Sequence, residues 1–300
     1  MPVNLWEIRI AGWRPVYSLV LRYLRYAPGS WLKEYLRDGV VGHTARPVLY
    51  TNNDGIHFEL DVHDLIQRSI YCYNYYEIED VRAFRWLIKP GAIVFDVGAN
   101  IGQYALLASK LVGRSGQVFA FEPSPDVLPK LKRHLLMNYA DNVELTARAV
   151  AGKNGTASFY PSDLESNQGV GSLLPAEAYR SELRSKHAVE VEVITLDSFC
   201  EQLGIESIDL LKIDVEGLDL EVLKGAERIL ARSPNVVVMS EVEPLNLVQQ
   251  GLSYDDFIDY MHRRGFAPYY AAESGRLYAL PEGDTSRPNL FFKRKTGKAA

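Results

Sequence analysis

The stretch VFDVGANIGQYALLASKLVG, residues 94–113, constrains the fold more than any other part of the chain. Its apolar run predicts a buried strand over "IVFDV", its glycines a tight turn, and its periodicity a helix from about Gly102 to Val112. Strand, glycine turn and helix in that order form the ligand-binding corner of an open α/β sheet, where ligands sit outside the carboxyl ends of the strands. Gly98 and Gly102 give the spacing GxxxG. The middle glycine that lets backbone approach a pyrophosphate in GxGxxG is missing, and without GK[ST] the turn is not a P-loop.

The rest of the second half repeats the alternation. "QVFAFE", "NVELTARAV", "IDLLKID" and "NVVVMSE" read as strands. Helices are predicted from about Pro125 to Tyr139, over "LDLEVLKGAERIL" and over "YDDFIDYMHRRG". Strands separated by helices imply a parallel sheet covered on both faces. "APYYAA", "RLYAL" and "NLFFK" follow without intervening helices and predict an antiparallel edge. Residues 151–194 break the rhythm with "NGTASFY", a polar loop and "AVEVEVI", a hairpin-like excursion. Its stretch 161–187, with Gly169 and Gly171 as hinges, reads as a lid over the site.

Residues 1–89 read as an N-terminal cap and 90–300 as the main domain. Within the cap, Trp6, Ile10, Trp13, Val16, Leu19 and Leu24 could line one helical face, and Asn52-Asn53-Asp54-Gly55 between alternating runs predicts a hairpin. The helical face suits packing on its own domain, a second copy of the chain as a homodimer, or peripheral contact with a membrane. Arg9, Arg14, Arg22 and Arg25 interrupt any spanning segment there. Two cysteines, Cys72 and Cys200, lie far apart outside any CxxC, so a reducing, cytoplasmic setting is expected. The net charge of −5, without a run of like charge, argues against a nucleic-acid partner bound through bulk charge. The six histidines show no ligand spacing. His134 reads as a surface or packing residue, and His187 in the excursion as a general-base candidate.

Two groups of acidic residues fall at strand ends. Asp96 closes the first strand, where a carboxylate repels phosphate but suits a cation, and Glu122 closes the second, where a carboxylate can accept both ribose hydroxyls. Asp96, Gly98, Gly102 and Glu122 therefore fit S-adenosylmethionine, a sulfonium without phosphate, better than a nicotinamide dinucleotide. Asp214, Glu216 and Glu241 end the next two strands and should converge on the same rim. There they would hold the donor's amino group, take a proton from a nucleophilic hydroxyl, or ligate a divalent cation. The plainer alternative for Asp214 and Glu216 is capping of the following helix. Lys212, Asp214 and Glu241 also partly resemble a Lys/Asp/Glu set used in nucleic-acid methylation.

"FDVGANIGQYALLAS", "FAFEPSPDVLPKLKRHLLMN", "TLDSF" and "LLKIDVEGLDLEVLKGAERIL" together resemble the FkbM-type S-adenosylmethionine-dependent methyltransferases, over about residues 75–243. The resemblance implies a seven-stranded Rossmann-like sheet with one antiparallel strand and helices on both faces. It also implies methyl transfer, typically to a hydroxyl of a sugar, a glycoconjugate or a polyketide-type natural product. By position, Asp96, Gly98, Asn100 and Gly102 match the family's cofactor loop, Glu122 its ribose contact, and Asp214, Glu216 and Gly217 its fourth-strand motif. A non-catalytic assembly protein of the same fold, or an oxidoreductase, is the competing expectation. The intact acidic rim speaks against the first and the missing GxGxxG against the second.

Overall fold

The computed structural model describes residues 47–164, 166–174 and 187–295, with Val20 and Tyr23. The helical face expected over residues 4–40 lies outside the described residues, as do parts of the excursion. The chain forms two compact units, residues 1–78 and 79–300. Among the described residues no helix is long and apolar enough to cross a membrane.

The described part of the first unit opens with the expected hairpin, β1 (Val48–Thr51) paired antiparallel with β2 (His57–Leu60). Asn52 closes its turn, its Oδ1 accepting the N–H groups of Asp54 and Ile56 at 3.0 Å each. Helix α1 (Leu65–Tyr73) starts where the Asp64 side chain accepts the Gln67 N–H. Helix α2 (Ile78–Leu87) begins at the division between the units. The cap was expected to run to residue 89. From Glu79 onward α2 instead packs within the larger unit, with Phe84 edge-on to Tyr104 at 4.9 Å.

The larger unit continues with β3 (Ile93–Val97), α3 (Gln103–Val112), β4 (Gln117–Phe121), α4 (Leu128–Met137) and β5 (Val143–Thr146). Next come β6 (Ala149–Val150), β7 (Gly155–Phe159), β8 (Val189–Ile194) and α5 (Leu196–Leu203). The chain then runs through β9 (Leu210–Ile213), α6 (Asp219–Lys224), α7 (Glu227–Arg232) and β10 (Val237–Glu241). It ends with α8 (Pro244–Val248), α9 (Tyr254–Arg263), β11 (Phe266–Ala271), β12 (Leu277–Ala279) and β13 (Asn289–Arg294).

The main sheet has the order β12-β11-β13-β10-β9-β3-β4-β5. The five strands from β10 to β5 are parallel, and β13 runs antiparallel to both β10 and β11. That is the expected seven-strand arrangement with one reversed strand, extended by the short antiparallel edge strand β12. Strand order reverses between β3 and β9, so the switch point lies where β3 ends.

Three elements differ from the sequence reading. "NVELTARAV" is two strands, β5 in the main sheet and β6 in a separate sheet of order β6-β8-β7. "LDLEVLKGAERIL" is two helices, because the chain closes on Ala151 at Gly225, where a Cβ would lie 2.3 Å from the Ala151 carbonyl oxygen. Gly171, expected as a hinge, packs against the Phe159 ring, and its neighbour Ser172 bridges to Tyr160.

Helix α5 is seated on the sheet by aromatic packing. The Phe199 ring meets Phe95, Phe119 and Phe121 at centroid distances of 5.9, 5.4 and 4.8 Å, all edge-on. These rings are buried and join β3, β4 and α5 in one core. Phe199→Ala should cost about 3–5 kcal/mol of unfolding free energy, read by chemical denaturation. A loss under about 1 kcal/mol would show that the cluster does not anchor α5.

Candidate active site

β3 ends in a turn whose backbone is fixed on both sides. The N–H groups of Gly98 and Ala99 both donate to the Phe121 carbonyl at 3.0 Å, and the Asp214 N–H donates to the Val97 carbonyl at 3.0 Å. Gly98 has φ +77°, and a Cβ there would lie 1.8 Å from the Asp214 carbonyl oxygen, so no side chain fits. Asn100 takes φ 50°, a conformation asparagine tolerates. His134, buried on α4, donates from Nδ1 to the Ile101 carbonyl at 2.8 Å and pins the far side of the turn. It is a packing residue, one of the two roles read for it.

Glu122 follows β4 and is buried. Its Oε2 accepts the Asn100 N–H and its Oε1 the Ser124 N–H, each at 2.8 Å. Two amides hold the carboxylate in one orientation, with further lone pairs open to a diol. Burial pushes its pKa up to about 7, against the pull of those amides.

Asp96 and Lys212 are register partners on β3 and β9, and both are buried. The Lys212 ammonium lies 3.5 Å from Asp96 Oδ1 and 3.3 Å from Asp214 Oδ2, and it donates to the Gly98 carbonyl at 3.0 Å. Burial holds the Asp96 carboxyl above the ordinary range, with Lys212 pulling it down. Asp214 is half-exposed, its side chain 38% accessible. One step before it Ile213 pairs with Ser240, so Asp214 and Glu241 end neighbouring parallel strands together, as expected.

Glu216 sits at φ 54°, a conformation that costs a residue of its kind about 1–3 kcal/mol. Its backbone is held from outside: Ser172 Oγ donates to the Glu216 carbonyl at 3.0 Å, and Gln250 Nε2 donates to the carbonyl of Gly217. The excursion therefore touches the acidic rim where Ser172 lies. Among the described residues no three His, Cys, Asp or Glu side chains are grouped as a metal needs.

Two further carboxyls belong to this region and were missed in the sequence. Asp219, buried at the start of α6, has its pKa pushed up to about 7 by burial and by Asp214, and the Ser240 hydroxyl donates to it at 3.3 Å. Asp80 on α2 accepts from Asn289 Nδ2 at 3.0 Å, and Asn289 is the register partner of Glu241. Burial raises the Asp80 pKa to about 6. The signal was available: Asp219 shares a helical face with Val222 and Leu223, and Asp80 with Phe84.

S-adenosylmethionine fits this corner on three observations: a turn with no room for a side chain at Gly98, a pre-oriented carboxyl at Glu122, and a buried carboxyl at Asp96. The strand order with one reversed strand and this turn define the Rossmann-like fold of the methyltransferases. The family model described as "Methyltransferase FkbM domain" matches residues 96–268, more than half of the chain, and the chain belongs to that family.

Among curated proteins, the 2-O-methyltransferase NoeI of Sinorhizobium fredii is 30% identical over 154 residues, 49% of this chain and 62% of that protein. The hexuronic acid methyltransferase AglP of Haloferax volcanii is 29% identical over 148 residues, 49% of this chain and 54% of that protein. The 31-O-demethyl-FK506 methyltransferase FkbM of Streptomyces tacrolimicus is 31% identical over 163 residues, 47% of this chain and 61% of that protein. The matches thus span less than two thirds of each of these relatives.

Carboxyls with raised pKa set a pH dependence of folding. Glu122 and Asp219 keep protons in the folded chain up to about pH 7, whereas the unfolded chain releases them near 4.5 and 3.8. Their contribution is fully present below those lower values and is lost as pH rises through about 7. The ligand-free protein should lose stability from about pH 5 to 8, and Glu122→Gln or Asp219→Asn should each remove about 2–3 kcal/mol of that loss. Denaturation curves at the two pH values test this, and an unchanged difference in both variants would refute it.

Proposed function

We propose that this chain is an S-adenosylmethionine-dependent O-methyltransferase acting on a hydroxyl of a sugar, a glycoconjugate or a polyketide-type natural product. The observation that carries the reading is the Glu122 carboxylate, fixed by the Asn100 and Ser124 amides beside a turn that excludes a side chain at Gly98. When bound, the donor supplies a methyl group made electrophilic by its sulfonium.

In this reading Glu122 takes the ribose hydroxyls. Asp96 faces the cationic end of the donor, and the backbone of Gly98, Asn100 and Gly102 forms the wall of the cradle. Asp214 accepts the proton of the acceptor hydroxyl, with Glu216 and Glu241 completing the rim. A positioned base of this kind contributes typically about 10²–10⁴-fold. Orienting the reactants contributes more, up to about 7–11 kcal/mol. The excursion 151–194 serves as the lid, supported by the Ser172–Glu216 hydrogen bond that anchors its described part at the rim. The acceptor class is supported by the relatives, two named for O-methylation and one for a hexuronic acid.

Calorimetric titration with S-adenosylhomocysteine is the direct test. Saturable binding is expected, at least about tenfold weaker in Glu122→Ala, because two strong charge-assisted bonds are removed. With a labelled donor and a panel of sugars and macrolide alcohols, Asp214→Asn should lower kcat by at least about 10²-fold with donor binding retained. No binding by the folded wild-type chain would sink the enzyme reading, and full activity of Asp214→Asn would move the base elsewhere.

A further inference from the structure

Lys212 is buried on β9, and its side chain reaches three partners on different parts of the site: the Gly98 carbonyl at 3.0 Å, Asp214 at 3.3 Å and Asp96 at 3.5 Å. Its ammonium also lies 5.3 Å from the centre of the Tyr104 ring. The charged and titratable groups around it come from every packed element: Asp96 on β3, Tyr104 on α3, Glu122 after β4, Asp214 after β9 and Asp219 on α6. Among these described residues Lys212 is the single cation, set against four carboxyls. A buried lysine serving only to neutralise Asp96 would need neither the carbonyl of the glycine turn nor the half-exposed carboxylate at the rim.

We propose that Lys212 is a positioning residue for methyl transfer, one ammonium that ties the donor turn at Gly98 to the rim carboxylate Asp214 and opposes protonation of Asp96 and Glu122 on the side that meets a cationic donor. The proposal rests on the function argued above. Donor and acceptor sides of the site are thereby mechanically joined: the side chain that fixes the turn also fixes the proton-accepting carboxylate. Removing the ammonium leaves the carboxyls with less opposing charge, so they keep protons to higher pH. Protonated carboxyls attract a sulfonium less, and binding then requires a more alkaline solution.

The test compares wild type, Lys212→Met, Lys212→Arg and Asp214→Asn. Binding of S-adenosylmethionine and of S-adenosylhomocysteine is measured by calorimetry from pH 6 to 9, with melting temperatures over the same series. Lys212→Met should bind S-adenosylmethionine at least about tenfold more weakly at pH 7, and the pH midpoint of its affinity should rise by about one unit or more. Lys212→Arg keeps the charge and should hold the wild-type midpoint. Asp214→Asn removes a like charge from the carboxyls and should lower it. The uncharged thioether of S-adenosylhomocysteine should show less of this dependence.

Equal, pH-independent losses in the Met and Arg variants would reduce Lys212 to a packing residue and overturn the proposal. If the Met variant does not fold, an unchanged midpoint in Asp214→Asn overturns it. Absence of any binding by wild type refutes the enzyme reading instead. The melting series then decides Lys212 alone, because the pH-linked fall in stability must still move upward in Lys212→Met and downward in Asp214→Asn.

Discussion

The approach of the Gly98 backbone to the Asp214 carbonyl is the contact on which the rest of the site depends. A Cβ at Gly98 would lie 1.8 Å from that oxygen, so β3 and β9 leave the sheet in van der Waals contact with no side chain between them. That proximity directs the turn toward β4, where the Phe121 carbonyl receives two of its N–H groups. It also brings Asn100 over Glu122. The acidic rim and the glycine turn are thus set by one backbone contact at the switch point. Residues more than a hundred positions apart in sequence meet there because strand order reverses between β3 and β9.

Charge is concentrated at this point against the usual economy of a folded core. Asp96, Glu122 and Asp219 are buried, and burial raises the pKa of all three. Isolated carboxylates would be strongly unfavourable in such surroundings. Here the cost is reduced by fixed amides at Glu122, by the ammonium of Lys212 at Asp96, and by protonation of Glu122 and Asp219 up to about pH 7. A cluster held in this way keeps its carboxyls in fixed orientations before any ligand arrives.

Much of this was legible before the structure. The apolar run to Val97, the two glycines and the periodic helix after them specify strand, turn and helix through local preference alone, and they fold as read. Asp96, Glu122, Asp214 and Glu241 lie at strand ends because the strands themselves were readable. The break at Gly225 was not, since it arises from the Ala151 backbone closing on a glycine across the fold. The split of "NVELTARAV" was hidden for a similar reason: β5 and β6 are nearly continuous in sequence, and only their partners separate them. Lys212 was seen as a neighbour of Asp214, yet its bond to the Gly98 carbonyl depends on register between distant strands. Asp219 was not singled out in the sequence, although its helical face with Val222 and Leu223 pointed to burial, and its contact with Ser240 on β10 needed the fold.

The small sheet β6-β8-β7 has a consequence for how such a chain diversifies. Entry and exit of the excursion are zipped in parallel, Ala149 against Val193 and Val150 against Ile194, before α5 returns to the aromatic core. What lies between is a closed side branch whose ends are already paid for by the main body. Doubling such a branch costs only about 0.6 kcal/mol of closure entropy. The loop between β7 and β8 can therefore change in length while the glycine turn at the end of β3 keeps its own contacts.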